Sequence, residues 1–268
     1  MLKLMYITND PAVARIAVDA GVDRIFIDME VLGKAERQGG MDTVQSHHVP
    51  ADIVAVRSAI SDRAEIMARV NPLNPDSQAE INAAVANGAD VVMLPMWRTA
   101  DDLCQLVRMV NGRAKVMPLL ETDTAADNLQ EAVKVSGIDQ MLIGLNDLHL
   151  CYHRKFLFQL LTDGTVDRLC TQLRAAGLPF GFGGVGRPGS GRSRQNLSSV
   201  SITVSVRSMS FCPAAFAIRA RSQIWMTFGV FLRRVWRMFV VWSASALPGR
   251  RSSLMKTTAG CVPAWRQL

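Results

Sequence analysis

Glu121 and Asp147 are the residues on which chemistry could rest, because each is a lone acid where an apolar run stops. Leu119-Leu120-Glu121-Thr122 closes the run that begins at Lys115. Asp147 follows the run 140–145, inside Gly144-Leu145-Asn146-Asp147-Leu148. Both runs read as buried strands, and 124–134 between them reads as a helix. Consecutive parallel strands joined by a helix lie side by side with their carboxyl ends together. Two carboxylates should therefore converge at one rim of a sheet, where α/β enzymes keep their chemistry. Two hard oxygen donors, with water completing the shell, suit Mg²⁺ or Mn²⁺.

Those strands need a scaffold, and residues 1–191 supply one. Apolar strand-like runs at 2–7, 24–29, 65–70, 90–96, 115–121, 140–145 and 179–185 alternate with helix-like runs at 11–20, 51–60, 77–87, 99–110, 124–134 and 166–176. Pro11 opens the first helix and Gly88 stops the third, as helix ends favour. A long polar loop, 33–48, precedes the second helix. Regular βα alternation at this spacing predicts a parallel sheet. Seven such units read as a (β/α)8 TIM barrel lacking its last unit, with a doubly wound sheet as the alternative. Seven strands leave two open edges.

The remaining residues are unlike the rest. The chain has 30 Lys and Arg and 23 Asp and Glu. Twelve of the basic residues and none of the acidic ones fall in 192–268, so 1–191 carries a formal −5 and the tail +12. The last acid is Asp167, and four of the five Trp lie in the tail. As a selected sequence, such a tail offers a basic surface to nucleic acid, an acidic partner or a membrane. Its apolar stretch 223–242 is broken by Arg233, Arg234 and Arg237, which suits lying on a membrane better than spanning one. A third reading fits better. Back-translated one base out of register from Arg192, the tail can spell acidic residues, a strand and a closing amphipathic helix, the parts the barrel lacks. The expectation is a frameshift near Gly191, with 1–191 a barrel domain and 192–268 a basic Ser-, Arg- and Trp-rich tail that is not natively folded. No specific nucleic-acid partner and no transmembrane segment are then expected. A DNA read across codons 180–200 tests this, and an unshifted frame in independent isolates overturns it.

Smaller signals are bland. Cys104, Cys151, Cys170, Cys212 and Cys261 form no CxxC pair and read as buried free thiols. The opening residues read as a strand rather than a charged segment followed by an apolar one, which suits a cytoplasmic protein. His149 and His153, at i and i+4, could bind zinc on a helix, but no third ligand is evident. Gly181-Phe182-Gly183-Gly184-Val185-Gly186 matches G-x-G-x-x-G, yet no acid follows about twenty residues on. It reads as a barrel loop that lets backbone approach a ligand. The run 200–206 alternates like a strand, by accident in the frameshift reading.

Taken together, Phe26-Ile27-Asp28-Met29-Glu30, Ala68-Arg69-Val70-Asn71-Pro72, Leu94-Pro95-Met96, Leu120-Glu121-Thr122 and Gly144-Leu145-Asn146-Asp147-Leu148 resemble the strand ends of the HpcH/HpaI aldolase and citrate lyase beta-subunit family. The resemblance covers 1–191, about seven-tenths of the chain. It implies a barrel of the phosphoenolpyruvate/pyruvate superfamily. It also implies metal-dependent carbon–carbon bond cleavage or formation through a pyruvate-like enolate. Carried over by motif, Glu121 and Asp147 would hold the metal. Arg69 would hold the 2-oxo acid and the developing enolate oxygen, and the backbone of Gly144, Leu145 and Asn146 would meet the substrate carboxylate. An intact member is expected to be a homo-oligomer.

The chain departs from the family at one point. In the aldolase branch a His directly follows the acid of the second strand and serves proton transfer, whereas here Val31 follows Glu30. His47 and His48, in the loop before the second helix, are the candidate bases. The functional expectation is a divalent-metal-dependent carbon–carbon lyase of the aldolase type, acting on a 2-oxo acid or related hydroxy acid. One alternative is an acyl-CoA lyase of the citrate lyase beta type. Another is a catalytically inactive barrel whose basic tail binds an acidic partner or a membrane surface. Against any site role, Arg69 could simply pair with Asp28 or Glu30, and His47 and His48 could belong to a solvated loop.

Overall fold

Each apolar run becomes a strand. The computed structural model describes residues 3–34, 46–155 and 159–183, and the backbone of 204–206. Its strands are β1 (Met5–Ile7), β2 (Arg24–Asp28), β3 (Glu65–Arg69), β4 (Val91–Met93), β5 (Lys115–Val116), β6 (Leu119–Leu120), β7 (Met141–Gly144) and β8 (Phe180–Gly183), and each pairing among them is parallel. β5 and β6 are halves of one expected strand. Pro118 has no N–H to give β7, so regular pairing lapses there. The ladder still runs through. Met117 and Leu119 donate their N–H groups to Val92 O and Leu94 O at 3.0 and 2.9 Å, and Leu142 N–H donates to Pro118 O at 3.0 Å.

Counted so, seven parallel strands follow one another in chain order. A doubly wound sheet would reverse its order at a switch point, and this one does not. The fold is α/β of the barrel type, without ring closure among the described residues. The free side of β8 is taken instead by β9 (Val204–Val206), which runs antiparallel with Val206 opposite Phe180. An eighth barrel strand would run parallel there. Part of the alternating run 200–206 is thus a strand, in the wrong direction for closure. The rest of the tail, and the readings placed on it, lie outside the described residues.

Helices Pro11–Asp19, Pro50–Ile60, Ser77–Ala86, Ala100–Val110 and Thr165–Ala175 fall where expected. Asp10 caps the first, accepting from the N–H groups of Ala12 and Val13 at 2.7 and 3.2 Å. The single helix expected over 124–134 is two, Asp123–Asp127 and Leu129–Ala132. Asn128 divides them. Its Nδ2 donates to Arg98 O and Thr124 O, a local polar alternative to continuing the helix. Helices Leu145–Cys151 and Gln159–Thr162 were not expected.

The two-residue period of a strand then sorts the side chains. Ile25, Ile27, Ile66, Ala68, Val92, Leu94, Val116, Leu120 and Ile143 pack in the outer clusters shared with the helices. Met5, Phe26, Met67, Val91, Met93, Met117, Leu119 and Leu142, on the other face, form one inner cluster. The same inner columns begin at Arg24, Glu65, Lys115 and Gln140 and end at Asp28, Arg69, Glu121 and Gly144. Polar layers therefore close both ends of an apolar interior.

At the amino-terminal layer Arg24, 1% exposed, donates to Glu65 at 2.6 Å and to Gln140 at 3.3 Å, and Lys115 and Lys3 also reach Glu65. Burial alone would raise the pKa of Glu65, but Lys115, Arg24 and Lys3 bring it down to about 2. Glu65 therefore contributes stability above its ordinary value of 4.5, and that contribution fades as pH falls towards 2. Glu65→Gln leaves Arg24 buried without its counter-charge and should cost about 3 kcal/mol. Urea unfolding at pH 7 measures it. The gap from wild type should narrow by pH 3, and equal midpoints at pH 7 would contradict the assignment.

Candidate active site

Glu121 is aimed inward by what precedes and follows it. Leu120 is wholly buried in the outer core, so the next position faces the interior as the strand ends. Thr122 then stops the strand. Its hydroxyl accepts from Ala125 N–H at 3.1 Å, capping helix Asp123–Asp127, and donates to Trp97 O at 3.2 Å. Glu121 is 2% exposed, and its Oε1 accepts the N–H of Met96 at 3.1 Å. Met96 has φ +55°, a left-handed backbone that a non-glycine residue adopts at a cost of about 1 kcal/mol. The string Leu94-Pro95-Met96 thus serves the site through its backbone.

Asp147 lies in the first turn of helix Leu145–Cys151, where the helix dipole favours a carboxylate, and it is 7% exposed. Gly144 caps that helix. A Cβ there would come within 3.0 Å of Glu121 Cβ and 3.1 Å of its Oε2, so glycine leaves the room the carboxylate occupies. The two acids expected to converge do so. Burial first, then the charge of Asp147, push the pKa of Glu121 up to about 8, although Arg69 and the Met96 N–H pull the other way.

That shift has a testable sign. Folded, Glu121 keeps its proton to about pH 8; unfolded, it releases it near 4.5. The folded chain therefore binds more protons between those values, and stability falls as pH rises through the window. We expect Tm without divalent cations to drop between pH 5 and 8. Mg²⁺ should raise Tm more at pH 8 than at pH 5, and Glu121→Gln should flatten both trends. A metal response equal at the two pH values would contradict this.

Arg69 is partly buried at the end of β3, in register with Asp28 on β2. Its Nε and Nη2 donate to the two carboxylate oxygens of Asp28 at 2.8 and 2.9 Å, and Nε lies 3.3 Å from Glu30. Its guanidinium stands 5.4 Å from the centre of the Phe26 ring. Both ion pairs weighed for it are formed. Burial would lower the pKa of Arg69, but Asp28, Glu30 and Glu121 hold it protonated. Nη1 takes part in none of these bonds. Asp28 also accepts Lys34 Nζ at 2.6 Å. Burial would raise the pKa of Asp28, yet Arg69 and Lys34 hold it well below the usual carboxylate range.

The two histidines separate. His47 is exposed, whereas His48 is half-buried against the end of β2, its Nδ1 accepting the N–H of Asp28 at 3.0 Å. Burial lowers its pKa. With Nδ1 accepting, the ring proton sits on Nε2. As placed, His48 is a donor, and taking a proton requires it to leave Asp28. Lys34 went unrecognised as a site residue, as did the Met96 amide. Val31, which follows Glu30, is 50% exposed.

Other candidates are not assembled. His149 lies in helix Leu145–Cys151, but His153 is beyond its end with φ +52°, so no helical zinc pair forms. Gly181 and Gly183 are residues of β8, not of a turn that opens a helix. A cleft at the amino-terminal end of the strands is lined by Arg57, Glu65, Asp90, Arg113 and Lys115, whose charges are taken up by one another and by backbone carbonyls of Gly88 and of the last turn of helix Ala100–Val110.

The residues present fit a hard divalent cation. Glu121 and Asp147 bring two buried hard-oxygen donors close enough to repel one another, a repulsion that a divalent cation would relieve. Among the described residues no group of three or more His, Cys, Asp or Glu is arranged to close on an ion. The pair would thus hold its ion with solvent or substrate oxygens completing the shell.

Comparison with known proteins agrees. The family model for HpcH/HpaI aldolase/citrate lyase matches residues 3–157. An HpcH/HpaI aldolase/citrate lyase family protein from Burkholderia cenocepacia J2315 is 18% identical with a TM-score of 0.55, over 67% of this chain and 78% of that one. An HpcH/HpaI aldolase from Desulfitobacterium hafniense DCB-2 is 15% identical, with a TM-score of 0.53, over 67% and 77%. Citrate synthase SbnG is 14% identical, with a TM-score of 0.53, over 66% and 75%. At these identities the likeness is one of fold. A search of curated proteins finds no match.

Proposed function

The chain belongs to the HpcH/HpaI aldolase/citrate lyase family, and on that footing we propose that it is a divalent-metal-dependent carbon–carbon lyase acting on a 2-oxo acid or related hydroxy acid. The observation that carries this reading is the buried pair Glu121 and Asp147, just past the carboxyl ends of paired strands and close enough for the charge of Asp147, and that of Arg69, to act on Glu121. Glu121 and Asp147 would hold Mg²⁺ or Mn²⁺, which when bound stabilises negative charge on oxygen as a Lewis acid.

The remaining work falls to the chain's own side chains. Breaking a carbon–carbon bond next to a ketone leaves the electron pair as an enolate. Arg69, fixed by Asp28 and Glu30, offers it a positive charge that need not reorganise. Arg69 Nη1 and the backbone of Gly144, Leu145 and Asn146 would receive the 2-oxo acid, the latter from the first turn of a helix. Proton handling is assigned to His48 rather than to the exposed His47: it would give up the proton on Nε2 as placed, and take one only once its Nδ1 leaves the Asp28 amide. We infer a small-molecule substrate, work in the cytoplasm and, for an intact member of the family, a homo-oligomer. Among the described residues no helix is long and apolar enough to cross a membrane.

The test uses the full chain with a panel of 4-hydroxy-2-oxo acids and 3-hydroxyacyl-CoA thioesters, following release of pyruvate or another 2-oxo acid. Release that needs Mg²⁺ or Mn²⁺ and stops with EDTA is expected. Release indifferent to EDTA would count against the reading, and cleavage of the thioesters alone would move it to the acyl-CoA lyase.

A further inference from the structure

Lys34 is 5% exposed, and its amine is bound to Asp28 at 2.6 Å in a carboxylate that also takes both donors of Arg69. Two cations, Arg69 and Lys34, share the one Asp28 carboxylate, so Lys34 takes up negative charge that would otherwise fall on Arg69. Lys34 is not a strand residue, so something must hold it. That is Asn71, just past β3, whose Oδ1 accepts the N–H groups of Val31 and Leu32 at 2.8 and 2.9 Å. Asn71 is fixed in turn by Glu80, which accepts its N–H and its Nδ2, each at 3.1 Å. A carboxylate on helix Ser77–Ala86 thus orients an amide that pins the segment carrying Lys34.

We propose that Lys34, set in place by Asn71 and Glu80, is a positioning residue of the oxo-acid site. It neutralises Asp28 so that Arg69 can present its charge to an anionic substrate. This rests on the lyase reading. It also gives the segment after β2 a role.

The test separates anion from cation binding without turnover. Oxalate, a planar mimic of the pyruvate enolate, is titrated by calorimetry into the Mn²⁺-loaded full chain, and Mn²⁺ binding is followed by electron paramagnetic resonance. Lys34→Gln keeps a donor to Asp28 but removes the charge. It should weaken oxalate at least about tenfold while leaving Mn²⁺ binding unchanged or tighter, because the site is then more negative. Lys34→Arg should restore oxalate. Asn71→Ala should weaken oxalate in the same sense and add little to Lys34→Gln, since both act through one group. Unchanged oxalate affinity in Lys34→Gln, or equal weakening of oxalate and Mn²⁺, overturns the role of Lys34. A wild-type chain that binds no Mn²⁺, or Mn²⁺ but no oxalate, overturns the lyase reading and this role with it.

Discussion

Glu121→Gln should abolish metal-dependent release of the 2-oxo acid while making the metal-free protein more stable at pH 8. Glutamine keeps the shape and can still accept the Met96 N–H, but it carries no charge to hold a cation. Loss of Lewis-acid stabilisation removes several kcal/mol from the transition state, about a thousandfold or more in turnover. The stability change has the opposite sign. Near pH 8 the wild-type carboxyl ionises in a site that resists ionisation through burial and through Asp147. The amide avoids that conflict. A residue whose removal raises Tm and removes activity is held for function rather than for folding. Steady-state kinetics with saturating Mn²⁺ and thermal melts in EDTA check the two halves. Retained turnover would contradict the ligand role, and a lower Tm at pH 8 would show that Glu121 is structural.

Arg69→Lys should lower kcat/KM about a hundredfold with the chain still folded. Lysine keeps the positive charge that Asp28 and Glu30 require. It has one nitrogen where Arg69 spends Nε and Nη2 on Asp28 and would offer Nη1 to a ligand. Two hydrogen bonds to charged groups are worth about 3 kcal/mol together, hence two decades in rate. Arg69→Met differs in kind. It leaves Asp28 and Glu30 buried with Lys34 alone and should cost about 3–5 kcal/mol of stability. If Arg69→Lys turns over like wild type while Arg69→Met only destabilises, Arg69 is a strand-end ion pair and nothing more.

What was legible followed from periodicity. Seven strands were visible because a strand buried on both faces is an unbroken apolar run, and the acids that end two of those runs marked the site. The break at Pro118 was less visible, since a missing N–H shortens a strand without altering its hydrophobicity. Residues that reach the site by tertiary contact left no local trace. Lys34 sits in a polar loop whose sequence resembles any solvated segment, and its importance depends on Asp28 lying six residues back at the end of a strand. Met96 contributes an amide aimed by a left-handed turn, which no side-chain pattern encodes. His48 is singled out from His47 only by which of them docks on β2. Helix Leu145–Cys151 was missed because a seven-residue helix that starts at a strand end shows too few turns for a period. β9 pairs with β8, but its direction came from the pairing and not from the alternation of its residues.

The account stands or falls on the carboxylate pair. The most direct measurement is a Mn²⁺ titration of the full chain by electron paramagnetic resonance at pH 8, alongside Glu121→Gln and Asp147→Asn. One tightly held ion per chain in the wild type, lost in both variants, is the predicted result. No bound ion in a folded wild-type chain, or binding that survives both substitutions, would contradict the assignment of Glu121 and Asp147 and the lyase chemistry built on them.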